Sequence, residues 1–405
     1  MPFRLALSGL NAAQADLTVT ANNIANTATV GFKGSRAEFA ELFSVSPQGV
    51  SSVAIGNGVR TANVSQQFTQ GNIDFTENSL DLAISGQGFF ILNDGGALAY
   101  TRAGAFQVDR DGYVVNSQNQ RLQAYPPTGT GTFNTGALAD IRLVTGESAP
   151  SPTTSVDVVL NLPSNATPPA SSPFDPADLN SYNRATSLTI YDSLGAAHTA
   201  TLYFIKTPNL NEWQTQLYID GTAVGTPQTL QYSNTGALTN PPNGQIAFPP
   251  YAPATGSEPM NLTFNFGQST QYGSTFTVNA VSQDGYTTGR LIGIDIDSTG
   301  VVQARFTNGR SLALGQIAIA NFQNPQGLQQ LGDTNWAETF TSGQALRGQA
   351  GNSGFGLIQS GALEASNVDI TEQLVNMITA QRNFQANAQM ISTADAITQA
   401  IINIR

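Results

Sequence analysis

The stretch SGLNAAQADLTVTANNIANTATVGFK, residues 8–33, decides how the chain is built. Phe3, Leu10, Leu17 and Ile24 recur every seven residues, with Ala6 and Ala13 at the intervening seam positions. This is the a/d stripe of a coiled-coil-like helix, and its small alanines admit a partner helix closely. The same segment then turns polar, with Asn22, Asn23 and Asn26 around Ile24. Thr27, Thr29 and Val30 are β-branched and Gly31 accepts a left-handed cap, so the spacing predicts a helix ending between Asn26 and Gly31.

A second seam lies at the other end of the chain. Ile370, Leu374, Met377, Gln381, Phe384, Ala388 and Ile391 step alternately by four and three, and Ala394, Ile397, Ile401 and Ile404 continue the stripe after a slip. Asp369 followed by Glu372 reads as a capping-box-like start, and Ser366 is an equally good cap. The predicted helix is about 35 residues long and carries few charges. Two readings of these seams stay open: packing on the chain's own core, or packing on other copies of the chain.

Between the ends the apolar period is two. Val156, Val158, Leu160 and Leu162 alternate with polar residues or stand two apart, as do Leu188 and Ile190, then Met260, Leu262, Phe264 and Phe266, then Ile292, Ile294 and Ile296. Asp111-Gly112, Asp220-Gly221, Asp284-Gly285 and Asn308-Gly309 are hairpin-turn signals between such runs. PSNATPPASSPFDP (163–176) and NPPNGQIAFPPYAP (240–253) read as long surface loops within one domain. The fold class is therefore multi-domain α+β, with two terminal helices enclosing a mainly antiparallel β middle.

Composition narrows the function. The chain has 405 residues, 40% of them hydrophobic and 11% charged, against roughly 25% charged in an average soluble protein. A net charge of −11 opposes nucleic acid and anionic lipid. No cysteine is present, which excludes disulfides and thiolate metal sites. The start MPFRLALSGLNAAQADL does not read as a signal peptide, because Ser8, Asn11 and Gln14 break its apolar run. No apolar run approaches the ~18–20 residues of a membrane span.

Motifs with catalytic or metal-binding overtones have plainer readings. His198, the single histidine, has no cysteine to pair with and reads as a solvated strand residue. VDRDGY (108–113) and IDIDSTG (294–300) lack the later ligands of a calcium loop and read as tight turns. SGQGFF (85–90) has no lysine or helix signal behind it and reads as a bulge or a close strand approach. Asn165-Ala-Thr and Asn261-Leu-Thr are sequons only in a eukaryotic secretory setting. No constellation points to an enzyme, a metal or a cofactor.

Three separated stretches carry a resemblance. SGLNAAQADLTVTANNIANTATVGFKGSRAEFAELF (8–43) comes first. LDLAISGQGFFIL (80–92) follows, with YTRAGAFQVDRDGYVVNSQNQRLQAY (100–125). GALEASNVDITEQLVNMITAQRNFQANAQMI (361–391) comes last. In this order they resemble the bacterial flagellar rod and hook axial proteins. YDSLGAAHTATLYFIKT (191–207) and LGQIAIANFQNPQGLQQLGDTNWAET (314–339) resemble the hook branch, whose members carry a large insert near 147–282. The resemblance implies a three-part division: a terminal helical assembly domain with its connecting segment (1–72 plus 361–405), a central β domain (73–146 plus 283–360), and an inserted outer β domain (147–282).

It also implies a structural, non-enzymatic subunit of the extracellular hook adjoining the basal body. Such subunits leave without a cleaved leader through the flagellar type III export apparatus. They polymerise with their own copies into a curved, flexible tube that couples rod to filament and passes torque. Rod proteins, the hook cap and the hook–filament junction proteins are the implied partners, with no nucleic acid and no membrane insertion. The seam residues named above, with Asn22, Asn23 and Asn26 setting register, are then the expected assembly surface. A distal rod protein with an insert and a secreted β-rich adhesin or binding protein are the alternative readings.

Overall fold

The structure is a computed structural model that describes residues 2–42, 56–129, 131–143 and 146–403. The expected helices stand at the two ends: helix α1 spans Pro2–Ala25 and helix α2 spans Ile370–Asn403. The first helix stops at Ala25, one residue before the expected zone, because Asn22 and Asn26 already divert backbone bonding there. Gly31 is left-handed as expected, at φ +69°. It serves as a junction rather than a simple cap, since its N–H donates to the carbonyl of Glu364 at 2.7 Å. At the second helix the Asp369 carboxylate accepts the N–H groups of Thr371 and Glu372, which makes Asp369 the N-cap. Ile404 lies outside the described residues.

The chain forms two compact units. The first comprises residues 1–144, 293–305 and 311–405. Its main sheet is antiparallel and runs Ser311–Asn321, Arg121–Tyr125, Phe89–Asp94, Ala97–Thr101, Asn335–Ala337, Gln329–Gly332. Both faces of this sheet are covered. Phe90, Leu92, Ile317 and Ile319 enter one apolar cluster, and their neighbours Phe89, Ile91, Ala318 and Ala320 enter another. That double burial is why LDLAISGQGFFIL is apolar almost throughout. Within SGQGFF, a Cβ on Gly88 would stand 2.3 Å from the Ile319 side chain, so the close approach expected there is present.

Two short ribbons join the chain's two halves within this unit. Ile73–Phe75 pairs with Ala362–Glu364, and Leu82–Ser85 pairs with Leu357–Ser360. A separate two-stranded ribbon, Ser35–Glu41 with Val59–Gln66, packs beside α1.

The second unit comprises residues 145–292 and 306–310. Two five-stranded sheets share one core there. One is a meander from Arg184–Tyr191 to Leu238–Asn240. The other is built around Ser155–Pro163, whose Val156, Val158, Leu160 and Leu162 are fully buried, as their spacing requires. This strand pairs antiparallel with Thr277–Gln283 but parallel with Thr263–Asn265 and Thr270–Tyr272. The β middle is thus mostly, not wholly, antiparallel.

Three local expectations need correction. Asp284-Gly285 is not a hairpin turn: the Asp284 carboxylate instead accepts the N–H groups of Thr154 and Ser155. A Cβ on Gly285 would clash with the Thr153 backbone at 2.7 Å, so this glycine serves close packing. The Ile292, Ile294 and Ile296 run does form a strand, but Ile292 faces solvent and only Ile294 and Ile296 pack, partly covered, against an apolar cluster of the first unit. His198 is not solvated, as shown below. Among the described residues no helix is long and apolar enough to cross a membrane.

Candidate assembly surface

The two helices pack along each other. Gly9 sits against Asn387, where a Cβ would fall 2.4 Å from the amide oxygen, and Asn23 Nδ2 donates to Gln373 Oε1 at 3.2 Å. Residue numbers rise on one helix as they fall on the other, so the pair is antiparallel. On α1 the covered positions are the small or polar ones: Ala6, Ala12, Ala13, Thr20 and Asn23. Leu10, Leu17 and Ile24 are half-buried beside them, and Phe3 is 48% exposed. Asp16 sits partly covered on this helix, and burial pushes its carboxyl above the usual range.

On α2 the covered row is Gln373, Met377, Ala380, Phe384, Asn387, Ile391 and Ala394, again in steps of four and three. It shares Met377, Phe384, Ile391 and Ala394 with the expected stripe, and Ala388 is half-buried beside them. Ile370, Leu374, Gln381 and Ile397 face outward. Close helix contact selects small residues such as Ala380, which is fully buried, over the larger apolar ones. An outer apolar strip is left on α2: Ile370, Leu374, Val375 and Ile378, with Met390 and Ile397 further along. Ile401 belongs to the helix, but its side chain lies outside the described residues.

The asparagines divide by role. Asn23 is buried and pairs both backbone groups of Ser35, accepting its N–H at 2.8 Å and donating to its carbonyl at 2.7 Å. Asn26 donates to the Asn22 carbonyl and accepts from Thr29, closing the helix end. Asn22 is exposed. Asn367 makes the matching tie from the other limb: its Oδ1 accepts from Gly34 N–H, and its Nδ2 donates to the carbonyls of Gln67 and Thr69.

Beneath the helix ends lies a buried ion cluster that reading the sequence did not find. The Glu364 carboxylate receives Lys33 Nζ at 2.5 Å, Arg102 Nη1 at 3.1 Å and Gly71 N–H at 3.0 Å. Lys33 also donates to the Thr69 carbonyl and Arg102 to that of Gly86. Burial lowers the pKa of both cations and the Glu364 carboxylate opposes that shift. The only signal in the sequence was position: Lys33, Arg102 and Glu364 each lie inside one of the three stretches that carry the resemblance.

A second buried cluster belongs to the other unit. His198 is 7% exposed and bridges two carboxylates, with Nδ1 2.6 Å from Asp220 and Nε2 3.3 Å from Asp192. Burial works against its charge, but the hydrogen bonds to Asp220 and Asp192 outweigh it and raise the pKa. Burial likewise opposes ionisation of Asp192, yet donors from Thr255, Ala196 N–H and His198 hold its carboxyl far below the usual range. Both ring nitrogens are engaged, so this imidazole fastens turns and has no free nitrogen for proton transfer.

Comparison with known proteins gives concordant results. Four family models match in chain order: flagella basal body rod protein at 3–33, flagellar hook protein FlgE/F/G D1 domain at 83–167, flagellar basal body protein FlaE D2 domain at 161–286, and flagellar basal body rod FlgEFG protein C-terminal at 359–404. The chain is 41% identical to the flagellar hook protein FlgE of Escherichia coli (strain K12) over 413 aligned positions, covering 100% of both chains. It is 35% identical to the hook protein FlgE of Borreliella burgdorferi, covering 98% of each. Among solved structures it is similar to the Helicobacter pylori flagellar hook protein FlgE2, with a TM-score of 0.53 and 15% identity, covering 72% of this chain and 100% of that one. At that identity the likeness is one of fold.

Proposed function

This chain belongs to the flagellar hook protein family and is a structural subunit of the bacterial flagellar hook, and we propose that it polymerises there through the face its helix pair leaves uncovered. The observation that carries this reading is the outer apolar strip of Ile370, Leu374, Val375 and Ile378 on a long helix already packed on its other side. Contact of such a strip with neighbouring copies would bury it, and each large apolar side chain buried contributes about 1.5–3 kcal/mol. Phe3 extends the surface on α1. Leu10, Leu17, Ile24, Met377, Phe384, Ala388 and Ile391 support it from the half-buried seam, where they fix the helix pair's shape. Of the asparagines, Asn22 is the exposed one, placed to set register with a neighbour.

The reading includes the three-part division, with 1–72 plus 361–405 for assembly, 73–146 plus 283–360 as central β domain and 147–282 as an inserted outer domain. The relatives are structural proteins, and the role here is structural rather than enzymatic. Rod, cap and junction proteins would meet the ends of the polymer. The type III export apparatus would pass the chain uncleaved to the extracellular hook, which couples motor to filament as a bending tube.

Leu374→Asp tests the strip. Leu374 is 46% exposed, so the variant should keep the thermal transition of the free subunit. Burying an unpaired carboxylate at every neighbour contact costs several kcal/mol, so tubes seen by electron microscopy and sedimentation should disappear. Ala380→Asp is the control: at a fully buried position it should also split the helix pair and lower α2 helicity in the free subunit. Normal tubes from Leu374→Asp would remove this strip from the assembly surface.

A further inference from the structure

The cluster around Glu364 joins parts of the chain that are far apart in sequence. Lys33 follows α1, Arg102 stands beside the main sheet of the first unit, and Glu364 ends the strand Ala362–Glu364 ahead of α2. Its charge does not balance: one carboxylate faces two cations. The Lys33 and Glu364 side chains are fully buried and that of Arg102 is 6% exposed, so both cations are held almost entirely out of water. Carbonyls of Thr69, Ile84 and Gly86 solvate the two cations in part, but a carbonyl dipole does not neutralise a charge. With the carboxylate gone, two like charges would face each other in an apolar interior, the arrangement that buried pairs tolerate least.

We propose that Glu364 is a closing residue that makes docking of the N-terminal limb conditional on the C-terminal limb. While Glu364 is out of place, repulsion between Lys33 and Arg102 keeps residues 31–35 off the β body. When the strand Ala362–Glu364 pairs with Ile73–Phe75, its last residue delivers the counter-charge, and its backbone carbonyl simultaneously takes the Gly31 N–H. Asn367, three residues on, then secures Gly34. The two terminal helices are therefore presented together or not at all. This holds whatever the chain assembles into.

The test uses the full chain as a free subunit and reads amide hydrogen exchange. Glu364→Gln keeps size and shape but removes the charge. It should speed exchange at residues 31–35 and 69–71 by about a hundredfold or more, while exchange across the buried strands of 155–163 and 197–206 stays unchanged. Adding Lys33→Met removes one of the two opposed cations and should slow exchange at 31–35 again by at least about tenfold. A residue that merely filled space would not be rescued by a second core substitution. Wild-type protection in Glu364→Gln would overturn the proposal, and so would a double variant as open as the single one.

Discussion

The two buried charge clusters are built on opposite plans. In the first unit one carboxylate sits between two cations; in the second one imidazole sits between two carboxylates. The first joins residues 331 and 262 positions apart, the second residues 6 and 22 apart. The long-range cluster decides which segments of the chain meet. The local one fastens turns of a meander whose neighbouring strands already pair. Loss of the first should therefore undo an arrangement, and loss of the second should only soften one.

The largest difference should come from removing a single partner. Glu364→Gln leaves the buried Lys33 and Arg102 without a counter-charge and should cost about 3–5 kcal/mol in chemical denaturation of the first unit. His198→Asn leaves Asp192 with donors from Thr255 and Ala196 and should cost about 1–3 kcal/mol, confined to the second unit. Equal losses from the two variants would dissolve the contrast.

Acidity sharpens it further. The folded-state pKa of His198 is raised, so its contribution is fully present below the unfolded value, about 6.5, and is lost as pH rises through the folded value. The Lys33 pKa is lowered, so its term has the opposite sign and favours the folded form as pH rises toward the ordinary lysine range. Raising pH from mildly acidic to mildly alkaline should thus lower the melting transition of the second unit and spare that of the first. As the single histidine, His198 can be followed directly by NMR, and Asp192, Asp220 and the nearby Tyr251 ring are the groups facing it. A second unit whose stability is flat across that range, or an unchanged slope in His198→Asn, would take the clamp away.

The smallest expected effect concerns neutral bonds. Asn23→Ala removes the two bonds to Ser35 and the one to Gln373 and should cost about 1–2 kcal/mol, seen as faster exchange at the end of α1. A larger cost than that of Glu364→Gln would mean that amides, not charges, hold the limbs.

What could be read in advance follows the range of the interactions. The strand at 155–163 was legible because its alternation records burial on one face, a property each residue carries alone. The seam of α2 was only half legible. Heptad spacing located Met377, Phe384, Ile391 and Ala394, but it set the alternate positions at Leu374, Gln381 and Ala388, one residue after the Gln373, Ala380 and Asn387 that the helix pair uses. His198 was misread because its partners come from turns that periodicity does not register, although Asp192 and the Asp220-Gly221 turn stood close by. The Glu364 cluster was invisible in principle, since no local pattern links residues 33, 102 and 364.

The ribbon of Ser35–Glu41 and Val59–Gln66 has one further consequence. Neither strand pairs with a third among the described residues, and open strand edges invite strand addition and aggregation. Three features of the ribbon discourage it. Arg36, Glu38, Glu41 and Arg60 set charges of both signs along it, a bulge between Glu38 and Phe39 breaks its pleat, and the Asn23 amide occupies both backbone groups of Ser35. An identical strand arriving there meets an interrupted template. Free subunits can then be crowded together without seeding β aggregates, so that the helices remain the route by which one copy joins the next.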